Sequence, residues 1–372
     1  MQKQTVHDGW TLQAVGELAH IPRAIRGKEI PATVPGCVHT DLLAAGLIPE
    51  PYYGLNELKM AWIGRTDWRY ACVFTVDAAL LDHERVDLVC EGLDTVARVE
   101  LNGQLLGETA TMHHPHRFDA KARLRPGRNE LAITFKSPLA YAEQMRDKLG
   151  DLPHTEKHPF NFIRKMACNF GWDWGPAFVT AGIWQPLYLH AWNGARIRSV
   201  RPLVLAADAA IAQVEVLVDI ERAHAGDLAV SAVLAENTGR TVSAAAALGG
   251  NDTAARMALG VAQPQRWWPR GHGEQPLYGL TVRLAAGQSE LEGWTGRIGL
   301  RTATLNTDKD EIGSKFVIEV NGKAIFCKGA NWIPDDCFPT RVDEARYRRR
   351  LEQAVAANMN MLRVWGGGIF ET

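Results

Sequence analysis

Up to about residue 193 the chain is written in short apolar runs separated by turn residues. Residues 68–76 mix aromatic and β-branched side chains, and residues 86–93 form a second such run, so both are predicted strands. Residues 96–101 lead into Asn102-Gly103 and then residues 104–106. Asn-Gly between apolar runs predicts a tight hairpin, because both residues tolerate positive φ. Pro126-Gly127 supplies another turn before a strand at 131–135, and residues 182–192 return as a closing strand. One helix is expected over 139–148. Many short strands between such turns predict a sandwich or jelly roll.

Asn193-Gly194 marks a boundary, after which the period of two is clearer. Ala212, Val214, Val216, Val218 and Ile220 alternate with Gln213, Glu215 and Asp219, as in a half-buried strand. Further strands are predicted at 228–234, 241–247, 277–284 and 290–298. About seven short strands in roughly 100 residues fit an immunoglobulin-like sandwich over 194–304. No cysteine lies between Cys168 and Cys327, so the Cys…Trp…Cys pattern is missing. The alanine-rich strands suit a spacer better than a site.

From Leu305 the texture changes. Residues 316–320, Asn321-Gly322 and residues 323–327 predict another hairpin. A helix is expected over 343–358, with Asp343 as N-cap and Tyr347, Leu351, Ala354, Val355 and Asn358 on one face. Residues 361–365 form a short apolar strand ending in Gly366-Gly367-Gly368. Strand, helix, strand is the start of an α/β unit.

At 372 residues the chain is too long for one ordinary domain. Lysine plus arginine number 41 against 42 acidic residues, a formal charge of −1, so the expected partner is neutral rather than a polyanion such as nucleic acid. The six cysteines form no C-x-x-C pair and are expected as buried free thiols. Met1 to Leu18 holds no apolar run flanked by positive charge, and no stretch approaches the ~20 apolar residues of a membrane helix. A cytoplasmic protein without membrane partner is expected, or a periplasmic one if a leader was removed.

Candidate chemistry concentrates in residues 161–176, where Trp172 and Trp174 flank Asp173 and Gly171, Gly175 and Pro176 bracket the triplet. The breakers predict a shaped loop. Indole rings offer apolar faces and a carboxylate offers acceptor lone pairs, the mixture a pyranose requires. The same residues would also serve as a core plug with Asp173 capping a turn. Gly366-Gly367-Gly368 lacks the spacing of a phosphate cradle. His113-His114-Pro115-His116 reads as a loop rather than a metal site, and no G-x-S-x-G elbow occurs. Asn331-Trp332 and Arg363-Val364-Trp365 again set polar groups beside aromatics at strand ends.

Four segments in order carry a family resemblance: residues 34–42 (Val-Pro-Gly-Cys-Val-His-Thr-Asp-Leu), 172–176 (Trp-Asp-Trp-Gly-Pro), 328–334 (Lys-Gly-Ala-Asn-Trp-Ile-Pro) and 363–368 (Arg-Val-Trp-Gly-Gly-Gly). On them the chain resembles glycoside hydrolase family 2, and within it the β-mannosidases. The resemblance implies a multidomain, mainly β fold: a jelly-roll sugar-binding β-sandwich (1–193), an immunoglobulin-like β-sandwich (194–304), then the first strands and helix of a (β/α)8 barrel (305–372). It implies retaining hydrolysis of terminal non-reducing β-D-mannose from an oligosaccharide or glycoside, no cofactor and no metal, and leaves a homodimer open. Trp172, Asp173, Trp174, Asn331 and Trp365 are the implied substrate-binding residues, with Asp173 holding sugar hydroxyls and Trp365 forming part of the subsite floor. The family places both catalytic glutamates on later barrel strands, so no catalytic residue is assigned here, not even in Asn56-Glu57 or Asn129-Glu130. The alternatives are a non-catalytic carbohydrate-binding protein and another family 2 enzyme such as a β-galactosidase or β-glucuronidase.

Overall fold

The computed structural model describes residues 1–17, 19–155, 157–236 and 239–370. Leu18, at the end of the stretch read for a leader, and Glu371 and Thr372, at the end of the expected barrel start, lie outside the described residues. The chain divides into two compact units. One comprises Gln2–Ala191, Asn331–Arg349 and the residues from Val364 on. The other comprises Trp192–Ala330 and Arg350–Arg363, with Met1.

The first unit is built on two antiparallel sheets. The larger runs in the order Ile30–Pro31, Thr11–Val15, Asp67–Val76, Gly127–Phe135, Val96–Leu101, Gln104–Ala110. The smaller runs Gln2–Thr5, Leu187–Trp192, Arg85–Cys90, His116–Asp119. Period-two side chains from both sheets meet in one core: Leu12, Trp68, Tyr70, Leu131, Ile133 and Phe135 from the first, Val86, Leu88, Leu187 and Leu189 from the second. Each such fully buried side chain contributes about 1.5–3 kcal/mol. At the expected hairpin Asn102 and Gly103 take φ of 52° and 77°. The Asn102 amide then donates to Arg123 O and Asn129 Oδ1, both at 2.8 Å. The helix is Pro138–Leu149, with Ser137 Oγ accepting from Ala140 N at 3.0 Å as its N-cap.

Two expected strands are broken. The run 86–93 is Arg85–Cys90 followed by a separate Leu93–Asp94. The run 182–192 is Gly182–Ile183 and Leu187–Trp192, interrupted where Pro186 cannot donate to a ladder. Leu93–Asp94 pairs with Gly182–Ile183 in a short ladder of its own.

The second unit stacks a three-stranded sheet (Ala195–Ala207, Ile211–Arg222, Ala254–Ala262) on a four-stranded one (Thr241–Leu248, Leu228–Ala235, Tyr278–Ala286, Ser289–Ile298). Val214, Val216, Val218 and Ile220 point into its core, as their alternation requires. Ala254–Ala262 is a strand the sequence reading does not contain. So is Ala303–Asn306, which pairs with Val317–Val320. Asn321 and Gly322 (φ 52° and 75°) make the expected hairpin, but its return arm is only Lys323–Ala324.

Toward the C-terminus, strand Gly329–Trp332, helix Glu344–Ala356 and strand Met361–Val364 follow in order. Asn360 N bonds Lys328 O at 2.8 Å and Trp365 N bonds Trp332 O at 2.9 Å, so the two strands run the same way. Asp343 Oδ1 accepts from Arg346 N at 2.8 Å, the expected cap. The apolar face is not buried, however. Tyr347 is half-covered, whereas Leu351 and Val355 stay exposed. Cys37, Cys72, Cys90 and Cys168 are buried and free as expected; Cys327 and Cys337 are also free but only half-buried.

Candidate functional site

The site residues gather in the first unit. Trp172 and Gly175 exchange backbone hydrogen bonds of 3.1 and 3.2 Å, closing a tight turn with Asp173 and Trp174 at its tip. Gly171 enters that turn at φ +90°, which a side chain would strain. The Asp173 carboxylate is exposed at the tip, so its lone pairs remain open to a ligand.

Trp365 stands between the two indoles. Its ring centroid lies 5.0 Å from that of Trp172 and 5.4 Å from that of Trp174, at interplanar angles of 73° and 78°. Edge-to-face pairs at this spacing are worth about 0.5–1.5 kcal/mol each beyond area burial. Phe160 supports Trp172 from another side at 5.6 Å. The three tryptophans retain partial exposure, with Trp174 the most open at 44%. The result is a cluster of three indoles with the exposed Asp173 next to two of them in the turn.

Trp365 follows strand Met361–Val364 and is fixed by its backbone bond to Trp332 O. Behind it the chain turns on glycine: Gly368 N bonds Trp365 O at 3.2 Å, and Gly367 O accepts from Cys168 N at 3.0 Å. A Cβ on Gly367 would lie 2.2 Å from Cη2 of the Trp365 ring, so this position has no room for a side chain. Asn331, next to Trp332, is exposed at the end of the neighbouring strand. That strand bonds to Trp365 N through Trp332 O, next to Asn331.

Several supports were not legible as site residues. Glu57 Oε1 accepts from Ala177 N at 2.8 Å, bracing the chain just beyond the turn. Phe178 belongs to a cluster with His39, Tyr52 and Phe338, centroids 5.4–6.0 Å apart. Tyr52 Oη donates to Asp336 Oδ1 at 2.8 Å and accepts from Cys337 N at 2.9 Å. Asp336 also meets Arg341 and Arg346, each at 3.1 Å. These bonds fasten residues 336–346 against the sandwich that carries the turn. The one available signal was Asn56-Glu57, which sequence reasoning weighed only for catalysis.

Burial shifts the groups beneath. It holds the His39 imidazole down to about 3, with the Lys165 charge adding to the effect. Among the described residues His39 Nδ1 has no hydrogen-bond partner, consistent with a neutral ring. Burial raises Asp41 to about 7, against the opposing bonds from Thr33 N and Tyr70 Oη, both 2.9 Å. Burial also lowers Lys165, with Asp94 pushing it back up. His116 Nε2 lies 3.1 Å from Thr111 O and His114 Nδ1 3.0 Å from Pro115 O, so both histidines engage backbone carbonyls.

Comparison with known proteins agrees with this architecture. Residues 10–185 match the glycosyl hydrolase 2 galactose-binding domain-like family, and residues 195–301 match glycosyl hydrolases family 2. Over 99% of its length the chain is 34% identical to β-mannosidase B of Emericella nidulans. The chain belongs to glycoside hydrolase family 2. Among other family 2 relatives, β-mannosidase of Mus musculus is 34% identical over 92% of the chain. The crystal structure of β-D-mannosidase from Dictyoglomus thermophilum superposes over 100% of the chain with a TM-score of 0.91 and 35% identity. An exo-chitosanase from Amycolatopsis orientalis shares the fold at a TM-score of 0.74 and 19% identity. The chain spans 43%, 41% and 45% of the fungal, mouse and Dictyoglomus proteins respectively, less than half of each.

Proposed function

We propose that this family 2 chain forms the sugar-gripping part of a β-mannosidase, which hydrolyses terminal non-reducing β-D-mannose with retention. Three clustered indoles beside one exposed carboxylate carry the reading. Trp172, Trp174 and Trp365 offer C–H-stacking faces, and Asp173 accepts from paired hydroxyls. Asn331 supplies a further polar group at the strand end. The likeness to β-mannosidases of Emericella nidulans, Mus musculus and Dictyoglomus thermophilum supports mannose over galactose or glucuronate. On the same reading, residues 1–193 form the jelly-roll sugar-binding domain, 194–304 the immunoglobulin-like spacer and 305–372 the start of a (β/α)8 barrel.

Retention requires an acid/base and a nucleophile about 5–5.5 Å apart. Asp173 stands alone on its turn, and Glu57 is committed to the Ala177 amide. The family resemblance puts both catalytic glutamates on later barrel strands, so on this reading residues 1–372 contribute binding and orientation. Calorimetric titration of the chain with mannose is the test. The expected result is weak binding, abolished by Asp173→Ala, with no release of nitrophenol from 4-nitrophenyl β-mannoside. Turnover by residues 1–372 alone would overturn the assignment of roles. Equal affinity in Asp173→Ala would overturn the site.

A further inference from the structure

The segment that carries Asp173 is bounded by Lys165 and Thr180, and only its middle, around Asp173 and Trp174, is exposed. Both residues are almost fully buried, at 4% and 2% exposure, and both reach the same carboxylate, Asp94, itself 2% exposed. Lys165 Nζ donates to Asp94 Oδ1 at 2.6 Å and to Thr180 Oγ1 at 2.7 Å. Thr180 Oγ1 donates to Asp94 Oδ2 at 2.6 Å. Thr95 Oγ1 donates to Asp94 Oδ1 as well. Asp94 comes from a third segment, and its strand pairs with Gly182–Ile183, directly beyond the returning end of the loop.

We propose that Asp94, Lys165 and Thr180 are positioning residues, a clamp that closes the base of loop 166–179 and so holds Asp173 and its two indoles against Trp365. A buried ion pair is a poor device for stability alone, because desolvation offsets much of its attraction and apolar residues of similar volume do as well or better. What it does supply is geometry. An ammonium with three donors and a carboxylate with two oxygens fix three chain segments at set distances. Above the clamp the loop is held by separate ties, Ala177 N to Glu57 and Cys168 N to Gly367 O. These ties lie three residues inside Lys165 and Thr180, and neither joins the two ends of the segment to each other. The clamp's effect on sugar binding rests on the mannose reading above; the clamping itself does not.

Hydrogen exchange of the chain, read by mass spectrometry, tests the clamp, and mannose titration is run beside it. Thr180→Val removes the hydroxyl at nearly constant volume. The pair Asp94→Leu with Lys165→Met removes both charges together, leaving no unpaired ion. Thr180→Ser is the rescue. The expected result is at least tenfold faster exchange of amides 166–179 in Thr180→Val and the paired variant. Amides 67–76 and 127–135 should exchange as before, and Thr180→Ser should return to the parent rate. Unchanged loop exchange in both folded variants overturns the proposal, and so does an equal rise throughout the sandwich. Faster loop exchange in a chain whose parent form never binds mannose supports the clamp and rejects the sugar reading. Faster exchange with a several-fold loss of mannose affinity supports both.

Discussion

Asp41 allows a quantitative check of the core beneath the site. It sits on helix Val38–Ala44, two residues from His39, and is 2% exposed. Burial raises its carboxyl from 3.8 to about 7. Between those values the folded chain keeps a proton that the unfolded chain releases. Stability from this group is therefore complete below pH ~4 and is lost as pH rises toward 7. Three units at about 1.4 kcal/mol each amount to about 4 kcal/mol. Asp41→Asn cannot titrate, keeps an acceptor for Thr33 N and presents its amide to Tyr70 Oη. Urea unfolding of both proteins from pH 4 to 8.5 should give near-equal stabilities at the acid end. At pH 8 the Asn variant should be ahead by about 2–4 kcal/mol. Taking the difference cancels every group the two share. A difference that does not vary with pH, or that grows in favour of aspartate as pH rises, refutes the reasoning.

Other outcomes can be checked more briefly. His39 is held near 3 against an ordinary 6.5, so its contribution is present above pH 6.5 and lost as pH falls toward 3. His39→Phe, which keeps a ring against Phe178 and Phe338, should lose less melting temperature between pH 7 and pH 4 than the parent. A Cβ on Gly36 would lie 2.1 Å from the Thr33 carbonyl oxygen, so Gly36→Ala should cost about 3 kcal/mol in urea; a cost within experimental error would show that this turn relaxes. Trp365→Ala removes both edge contacts, and mannose affinity should fall at least tenfold while the cooperative melt of the sandwich persists. An unaltered titration curve would take Trp365 out of the site.

Much of this architecture is local enough to read from sequence. Asn102-Gly103 and Asn321-Gly322 demand positive φ, and the structure has it at both. Residues 212–220 contrast valine with glutamate and aspartate, so their inward face is unambiguous. Ala254–Ala262 escaped notice for the opposite reason. Its inward residues Ala255, Met257, Leu259 and Val261 alternate with Arg256, Ala258, Gly260 and Ala262, of which only Arg256 supplies polar contrast. The site divides the same way. Trp172, Asp173 and Trp174 announce themselves by composition beside glycine. That Trp365 lies between the two indoles, that Glu57 braces Ala177 and that Asp94 joins Lys165 to Thr180 are facts of tertiary pairing across 71 to nearly 200 positions. No periodicity encodes them.

Gly367 decides where the Trp365 ring can stand. The indole lies against a residue with no side chain, and an added Cβ would come within 2.2–2.6 Å of three of its ring atoms, so either the ring or the glycine turn would have to move. The stance of the indole that touches both Trp172 and Trp174 is thus governed by an atom that is not there. Engineering of this cluster should begin behind the wall rather than on its exposed face.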